Sequence, residues 1–429
     1  IISAAFIACE NGAPRIALAA PTGKAAARLQ EAVGKSLSSE YSHLRSHVPE
    51  ASTIHRLLGV VRGSPYFRHH AANPLPFDMV VVDEASMVDL ALMAKLVLAV
   101  PDHARLIILG DRDQLSSVEA GAVLGDLCGV EDMNRFSSRF ANAAAGMGLP
   151  GIREEEGSPM LDCIVELRTS HRFGESSGIG RVSRAVKIGN VSEALRLLQS
   201  GEFPDLVWRR LPSPDEMATL LATEILDFYR EIGNEGGPEK ALDLFDRFRI
   251  LCALRDGPCG VTALNRLIER ILSREGLIRA DQKWYRGRPI LVTNNDYNLN
   301  LFNGDLGIIL QDPSAEGNHR AFFRSADRTV IRSFSPGSLP NHETVYATTV
   351  HKSQGTEFEE ALLILPDHPS PVLTRELVYT GLTRARNRVE IWGREEVFIQ
   401  AIGTRTSRTS GLRDRLWGSQ TAGFQRVFR

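Results

Sequence analysis

The chain has 429 residues, with 50 Lys and Arg against 52 Asp and Glu and a hydrophobic content of 43%. That length allows two or three domains with cores of their own. The near-even charge excludes a bulk electrostatic footprint for nucleic acid, so any such contact must come from local patches.

In chain order, IISAAFIAC is apolar without a basic flank before it and reads as a buried helix rather than a signal peptide. The chain opens on Ile rather than Met and is expected to lack its natural beginning. Arg15 to Ala20 reads as a short buried strand, and PTGKAAARLQEAVG as a loop leading into a helix. Met79 to Val82 of FDMVVVDEAS is a strand ending in acids, MVDLALMAKLVLAV an amphipathic helix, and ARLIILGDRDQL a second apolar strand ending in acids. Strand, helix, strand with short links predicts a parallel sheet.

Residues 130 to 160 lose the pattern and read as a mobile excursion. Regular structure is expected again at LDCIVEL, with helical patterns through Tyr229 and a linker at GNEGGPEK. RFRILCAL predicts a strand and VTALNRLIERILSREG a helix. Residues 284 to 345 alternate and carry an Asn303-Gly304 turn between β-rich runs, which reads as a small inserted β-barrel. TVYATTVHKSQG, EEALLILP and RVEIWG return to strands, and ELVYTGLTRA to helix.

The five cysteines, Cys9, Cys128, Cys163, Cys252 and Cys259, form no C-x-x-C pair. That argues against a disulfide framework or structural zinc and for a reducing, cytoplasmic setting. No apolar run approaches the ~18 residues of a membrane helix, so no membrane partner is expected.

The chemistry sits at the strand ends. Asp83 after a parallel strand is placed to hold Mg²⁺, and Glu84 to act as general base on an attacking water. An Asp-Glu pair after a strand is also a common turn. Gln114 in GDRDQL sits where an amide could sense a γ-phosphate. Arg172, read as following a strand, and Arg384, read as lying on a helix with Arg386 and Arg388 nearby, suit charge developing on phosphoryl oxygens. A single arginine is more often a solvated surface group. In ATTVHKSQGTEFEE, the residues Thr349, His351, Lys352, Ser353 and Gln354 suit a sugar-phosphate backbone. Gly355 allows close backbone approach, and Glu357 could bind a ribose hydroxyl.

APTGKAAARL, STIHRLLG, VVVDEASMVD, ILGDRDQLSSVEAGAVLGDLC, SHRF, VHKSQGTEF and VYTGLTRA, in that order, resemble the motifs of superfamily 1 helicases of the 5′-to-3′ branch. With PYFRHHAANPLPFD ahead of the acidic strand, the chain is most similar to the RecD-subunit family of the bacterial RecBCD complex, exodeoxyribonuclease V. The resemblance implies an α/β fold of two RecA-like P-loop-type parallel-sheet domains with an SH3-like β-barrel inserted in the second. It divides the chain into residues 1–165, residues 166–283 with 346–429, and the insert 284–345. It implies ATP and Mg²⁺ in the cleft, with single-stranded DNA and DNA ends, RecB and RecC as partners in double-strand break repair and recombination. By the same likeness Pro21, Thr22, Lys24, Thr53 and His55 belong to DNA-backbone motifs, together with Thr349, His351, Ser353 and Gln354. Asp83 and Glu84 match the metal and base positions, Gln114 the phosphate sensor, Arg172 and Arg384 the γ-phosphate arginines, and Gly355 and Glu357 a nucleotide-contacting loop. In this family the nuclease resides on another subunit.

One element departs from the pattern. A phosphate loop reads G-x-x-x-x-G-K-[ST] between strand and helix. Gly34-Lys35-Ser36 would need glycine at 29, which is Leu29, and Gly23-Lys24 would need it at 18, which is Leu18. The first pair is read as a DNA-backbone loop and the second as a helix end with a glycine stop. The likeness puts the loop upstream of Ile1, so the 429 residues alone are expected to bind ATP weakly and hydrolyse it negligibly. A non-catalytic single-stranded-DNA-binding or scaffold subunit, and a stand-alone 5′-to-3′ helicase, are the alternative readings.

Overall fold

The computed structural model describes residues 14–36, 50–117, 121–129, 133–149, 152–154, 159–174, 176–233, 237–279, 281–296, 298–312, 317–325, 330–406 and 410–417. The helix expected at IISAAFIAC lies outside them.

Three short apolar runs build the first sheet: β1 (Ile16–Ala20), β3 (Met79–Val82) and β4 (Arg105–Ile108), joined at one edge by β2 (Ser52–Thr53). The order is β2-β1-β3-β4 and every pairing is parallel, with Ala19 opposite Val82 and Val82 opposite Ile108. Alternate side chains leave opposite faces. Ile16, Leu18, Met79 and Val81 therefore pack beneath Leu29 and Val33 of helix α1 (Gly23–Ser36). Ala17, Ala19, Val80 and Val82 pack against α2 (Ile54–Leu58) and α3 (Leu90–Ala99).

The second parallel sheet has β7 (Leu206–Arg210), β8 (Phe248–Cys252), β14 (Ala347–Thr349), β15 (Phe358–Ile364) and β16 (Ala385–Gly393) in the order β14-β8-β15-β16-β7. Leu251, Ala361, Leu363, Val389 and Ile391 face a core built with helices at 178–188, 191–200, 375–382 and 395–403. Ile250, Cys252, Leu362, Ile364 and Trp392 face the helices at 214–233 and 261–274. Between β8 and β14 lies a five-stranded antiparallel sheet of β9 (Arg288–Val292), β10 (Leu306–Gln311), β11 (His319–Arg324), β12 (Ile331–Phe334) and β13 (His342–Thr344), in the order β12-β11-β10-β9-β13. The Asn303-Gly304 turn falls in the connection from β9 to β10, with Gly304 at φ 95°.

Several expectations change. The stretch 130–160 contains, within its described part, the helix Ser138–Gly146, capped by Ser137, and a minimal pair of strands, β5 (Arg135–Phe136) and β6 (Arg153–Glu154). LDCIVEL is not a strand. It leaves a 3₁₀ turn at Pro159–Cys163 and runs without a ladder, with Val165 64% and Leu167 88% exposed. Its backbone pairs instead with one side chain, Asn134, which both donates to Glu166 O and accepts from Glu166 N. Gly34 is no stop, since α1 runs through to Ser36 and Lys35 pairs with Glu31 at 2.6 Å. Among the described residues, Cys128, Cys163, Cys252 and Cys259 are free thiols and no helix is long and apolar enough to cross a membrane.

Candidate functional site

Asp83 and Glu84 follow β3 directly, where a parallel sheet presents ligand-binding loops. Asp83 Oδ1 accepts the Glu84 backbone N–H at 2.8 Å. Glu84 itself has φ 52° and ψ 39°, left-handed backbone that a non-glycine residue rarely adopts. Burial pushes the Glu84 carboxyl up, with Asp83 adding to the shift and Arg384 and Arg28 opposing it. Asp111, just beyond β4, accepts from Gln114 Nε2 at 3.2 Å and from the Tyr379 hydroxyl at 2.9 Å.

The second sheet meets these tips with its opposite end. Arg384 immediately precedes β16 and Glu357 immediately precedes β15, so both lie at the sheet's N-terminal edge. Arg384 is in the turn after the helix Arg375–Leu382 rather than on it, and is 2% exposed. Its guanidinium donates to Thr380 O and Thr356 O, and across the cleft to Gln114 Oε1 at 3.1 Å. Burial lowers its affinity for the proton, while Glu84 supports the charge. Arg172 follows the ladderless LDCIVEL segment, not a strand. It donates to Thr383 O at 2.9 Å and pairs with Glu357. Burial, then the guanidiniums of Arg384, Arg28 and Arg386, push Arg172 down to about 10. Guanidiniums crowded to that degree favour an added anion.

Glu357 is the counter-charge at the centre. It is gripped by Arg28 from α1, by Arg172, and by Arg386 at 2.8 Å. Gly355, with φ 70°, turns the chain so that its carbonyl accepts from Arg28 Nη1 at 3.1 Å, and a Cβ added there would come into ordinary contact with Thr22 and Ala25. Two further bonds hold the halves together: Leu115 N donates to Thr380 Oγ1 at 2.9 Å, and Gln354 Nε2 donates to Leu115 O at 2.6 Å.

The residues expected at DNA fall into two groups. Pro21 and Thr22 follow β1 directly, and Ala20 at its end pairs with Thr53. Thr22 caps α1 through Ala25 N at 3.2 Å, and Thr53 caps α2 through Arg56 N at 3.2 Å, so both hydroxyls already accept bonds. Lys24 stands in the first turn of α1, not on a loop, and is near enough to Asp305 of the antiparallel insert to oppose, after the Phe302 N–H, the upward shift that burial imposes there. His55 lies edge-on to Phe67 at 5.7 Å, and burial lowers its pKa. Thr349 ends β14 and accepts from Lys352 N at 3.3 Å, with His351 opening the next 3₁₀ turn. Ser353 and Gln354 turn inward instead: Ser353 is 1% exposed and donates to Val350 O, and Gln354 is spent on Leu115.

Arg28, Asp111, Tyr379 and Thr380 were not singled out from the sequence. Arg28 had one available signal. It stands four residues after Lys24, on the same face of α1.

No group of three or more His, Cys, Asp or Glu that could hold a metal occurs among the described residues. A Mg²⁺ ion keeps several waters and takes one or two carboxylates together with substrate phosphates; Asp83 is the residue at the strand tip that such an ion would use.

Residues 2–120 match the AAA domain family and residues 344–391 the UvrD-like helicase C-terminal domain family, which defines a helicase-type α/β chain. The chain is 42% identical over 406 residues to the RecBCD enzyme subunit RecD of Mycolicibacterium smegmatis, covering 94% of this chain and 66% of that one. It is 36% identical to the RecBCD enzyme subunit RecD of Haemophilus influenzae, covering 92% and 64%. The chain is thus similar to RecD subunits over more than nine tenths of its own length, and spans 64–66% of the length of these relatives. It is also 32% identical to the ATP-dependent RecD2 DNA helicase of Deinococcus radiodurans, covering 94% and 46%. Among solved structures, Bacteroides Pif1 bound to ssDNA aligns with a TM-score of 0.45 at 17% identity, covering 89% of this chain and 83% of that chain.

Proposed function

We propose that this chain is the motor core of an ATP-driven 5′-to-3′ DNA translocase, a RecD-type subunit working with RecB and RecC in exodeoxyribonuclease V during break repair and recombination. The two parallel sheets act as RecA-like domains, and the antiparallel insert is an SH3-like barrel. The observation that carries the reading is the cleft itself. Asp83, Glu84 and Gln114 lie beyond the strand tips of the first sheet, Glu84 interacts electrostatically with Arg384 and Arg172 of the second half, and Gln114 and Arg384 are hydrogen-bonded across the cleft.

ATP with Mg²⁺ supplies the phosphoryl group when bound, with Asp83 as the protein's carboxylate to the metal. Glu84 takes the proton from the attacking water. Gln114 orients, and Arg172 and Arg384 neutralise charge on the phosphoryl oxygens. DNA contacts go mainly to the backbone at the β1, β2 and β14 tips, so affinity falls with salt and shows little sequence preference.

In the full-length protein, Glu84→Gln is expected to keep nucleotide and single-stranded DNA binding and to lower turnover by at least about 10²-fold, within the range of general-base loss. Steady-state ATPase with oligo(dT) measures it, and unchanged turnover removes Glu84 as the base.

A further inference from the structure

We propose that Arg28 is a positioning residue that couples the DNA-facing end of α1 to the nucleotide cleft through Glu357. The inference rests on the reading of the cleft as a nucleotide site.

Three observations support it. Arg28 reaches out of the first sheet unit with a two-pronged grip: Nη1 donates to Gly355 O at 3.1 Å, and Nη2 pairs with Glu357. The planar fork fixes α1 against the 355–357 turn in distance and in orientation, which a lysine ammonium cannot do. Second, Glu357 divides its two oxygens among three arginines, with Arg28 and Arg172 on Oε1 and Arg386 on Oε2. A phosphate that draws Arg172 to itself takes one cation from Oε1, and Arg28 is the cation that remains there. Occupancy of the cleft thus changes how firmly α1 is held.

The third observation is where α1 begins. Its cap is Thr22, its first turn carries Lys24, and Arg28 stands one turn further on, about 6 Å along the axis. A Cβ added at Gly355 would stand 3.7 Å from both Thr22 Oγ1 and Ala25 Cβ, ordinary van der Waals contact. The same turn of chain therefore lies beside the end of α1 assigned to DNA and binds the arginine that faces the nucleotide. A helix moves as one piece, so a shift of Arg28 relative to Glu357 is a shift of Thr22 and Lys24.

The test measures coupling rather than activity. In the full-length protein at fixed salt, the Kd for fluorescein-labelled oligo(dT) is read by anisotropy with and without a non-hydrolysable ATP analogue and Mg²⁺. Linked sites change one another's affinity by roughly 5- to 150-fold. In Arg28→Ala the ratio of the two Kd values is expected to fall to within about twofold of one. Arg28→Lys, which preserves charge and helix propensity, is expected to recover less than half of the lost effect, because it restores the charge without the fork. Glu357→Gln is expected to reduce the ratio as Arg28→Ala does, and the double variant to add nothing. A purely structural role would weaken both Kd values together and leave the ratio intact; that result overturns the proposal, as does a wild-type ratio in Arg28→Lys. A wild-type protein whose DNA affinity ignores bound nucleotide overturns it too, whereas loss of turnover in Glu84→Gln decides the function independently.

Discussion

Glu84 is held in left-handed backbone in a half-buried position, and both facts oppose its charge and its geometry. Such strain costs on the order of 1–3 kcal/mol and persists where the surroundings over-determine it. Because burial raises the Glu84 carboxyl above its unfolded value, the folded state holds that proton more tightly than the unfolded state. Its contribution to stability is complete below the ordinary carboxylate range and is lost as pH rises through the folded value. Glu84→Gln is therefore expected to raise the melting temperature near neutral pH, with the gain vanishing in acid below the ordinary range. Thermal denaturation of the two proteins across pH measures this, and a gain independent of pH would refute it. The positions of Asp83 and Glu84 were legible, because an acidic pair after four consecutive apolar residues has only the strand tip to occupy. Arg28 was not. An arginine in a run of alanines on an amphipathic helix looks solvated until the partner 329 positions away, Glu357, is brought beside it.

At the scale of elements, the antiparallel insert is moored by a buried chain of hydroxyls. Tyr346 donates to Tyr285 at 3.2 Å and Tyr285 donates to Glu269 at 2.8 Å, while Tyr229 directs its single proton either to Gly287 O, 3.1 Å away, or to the adjacent Tyr346 oxygen. Two helices of the second unit are thereby tied to the entry into β9 and the exit from β13. Tyr346→Phe removes the middle link and is expected to cost about 1–3 kcal/mol, the penalty for stranding buried polar partners. Hydrogen exchange should rise at residues 285–292 and stay unchanged in β1 and β3; uniform exchange would show that the chain of hydroxyls is incidental. The strands of both parallel sheets were readable where an apolar run stood between turn residues. β7 was not, because LVWRR has two arginines and sits between helices, and only its ladder with β16 makes it a strand. LDCIVEL had the opposite fate. Its apolar alternation predicts a strand, but no neighbour offers it a backbone edge. The helix at 138–146 was hidden by its Gly, Ser and Asn content, and the cap at Ser137, held by both oxygens of Asp162 at 2.7 Å, gives it a start.

For the whole molecule, closure of the cleft rests on a few directional bonds rather than a broad apolar seam. Thr380 is fully buried, and its hydroxyl takes the Leu115 N–H from across the cleft. Thr380→Val keeps the shape and deletes the acceptor, leaving a buried N–H unpaired only when the halves are together. The closed form is expected to lose about 1–3 kcal/mol relative to the open one, roughly a tenfold change in population per 1.4 kcal/mol. Single-molecule energy transfer between dyes on the two sheets reads that shift, and an unaltered distribution would show that this bond does not govern closure. Pairing between the sheets could not be read from periodicity, since Leu115 and Gln354 are ordinary loop residues and Thr380 an ordinary helix residue until both halves are placed.

The chain also comes back on itself. After the last helix of the second unit, the helix Leu412–Trp417 docks on the first: Leu412 joins that unit's core, Ser410 donates to Asp126 at 2.5 Å, and the Trp417 indole donates to Asp126 O at 3.0 Å. A Cβ at Gly129 would overlap that indole, so glycine is required there. The other three tryptophans, Trp208, Trp284 and Trp392, lie in the second unit and its insert. Trp417 is thus an optical gauge already fitted across the two halves. Its emission should redden as they part, and subtracting the spectrum of Trp417→Phe isolates that signal without attaching a dye.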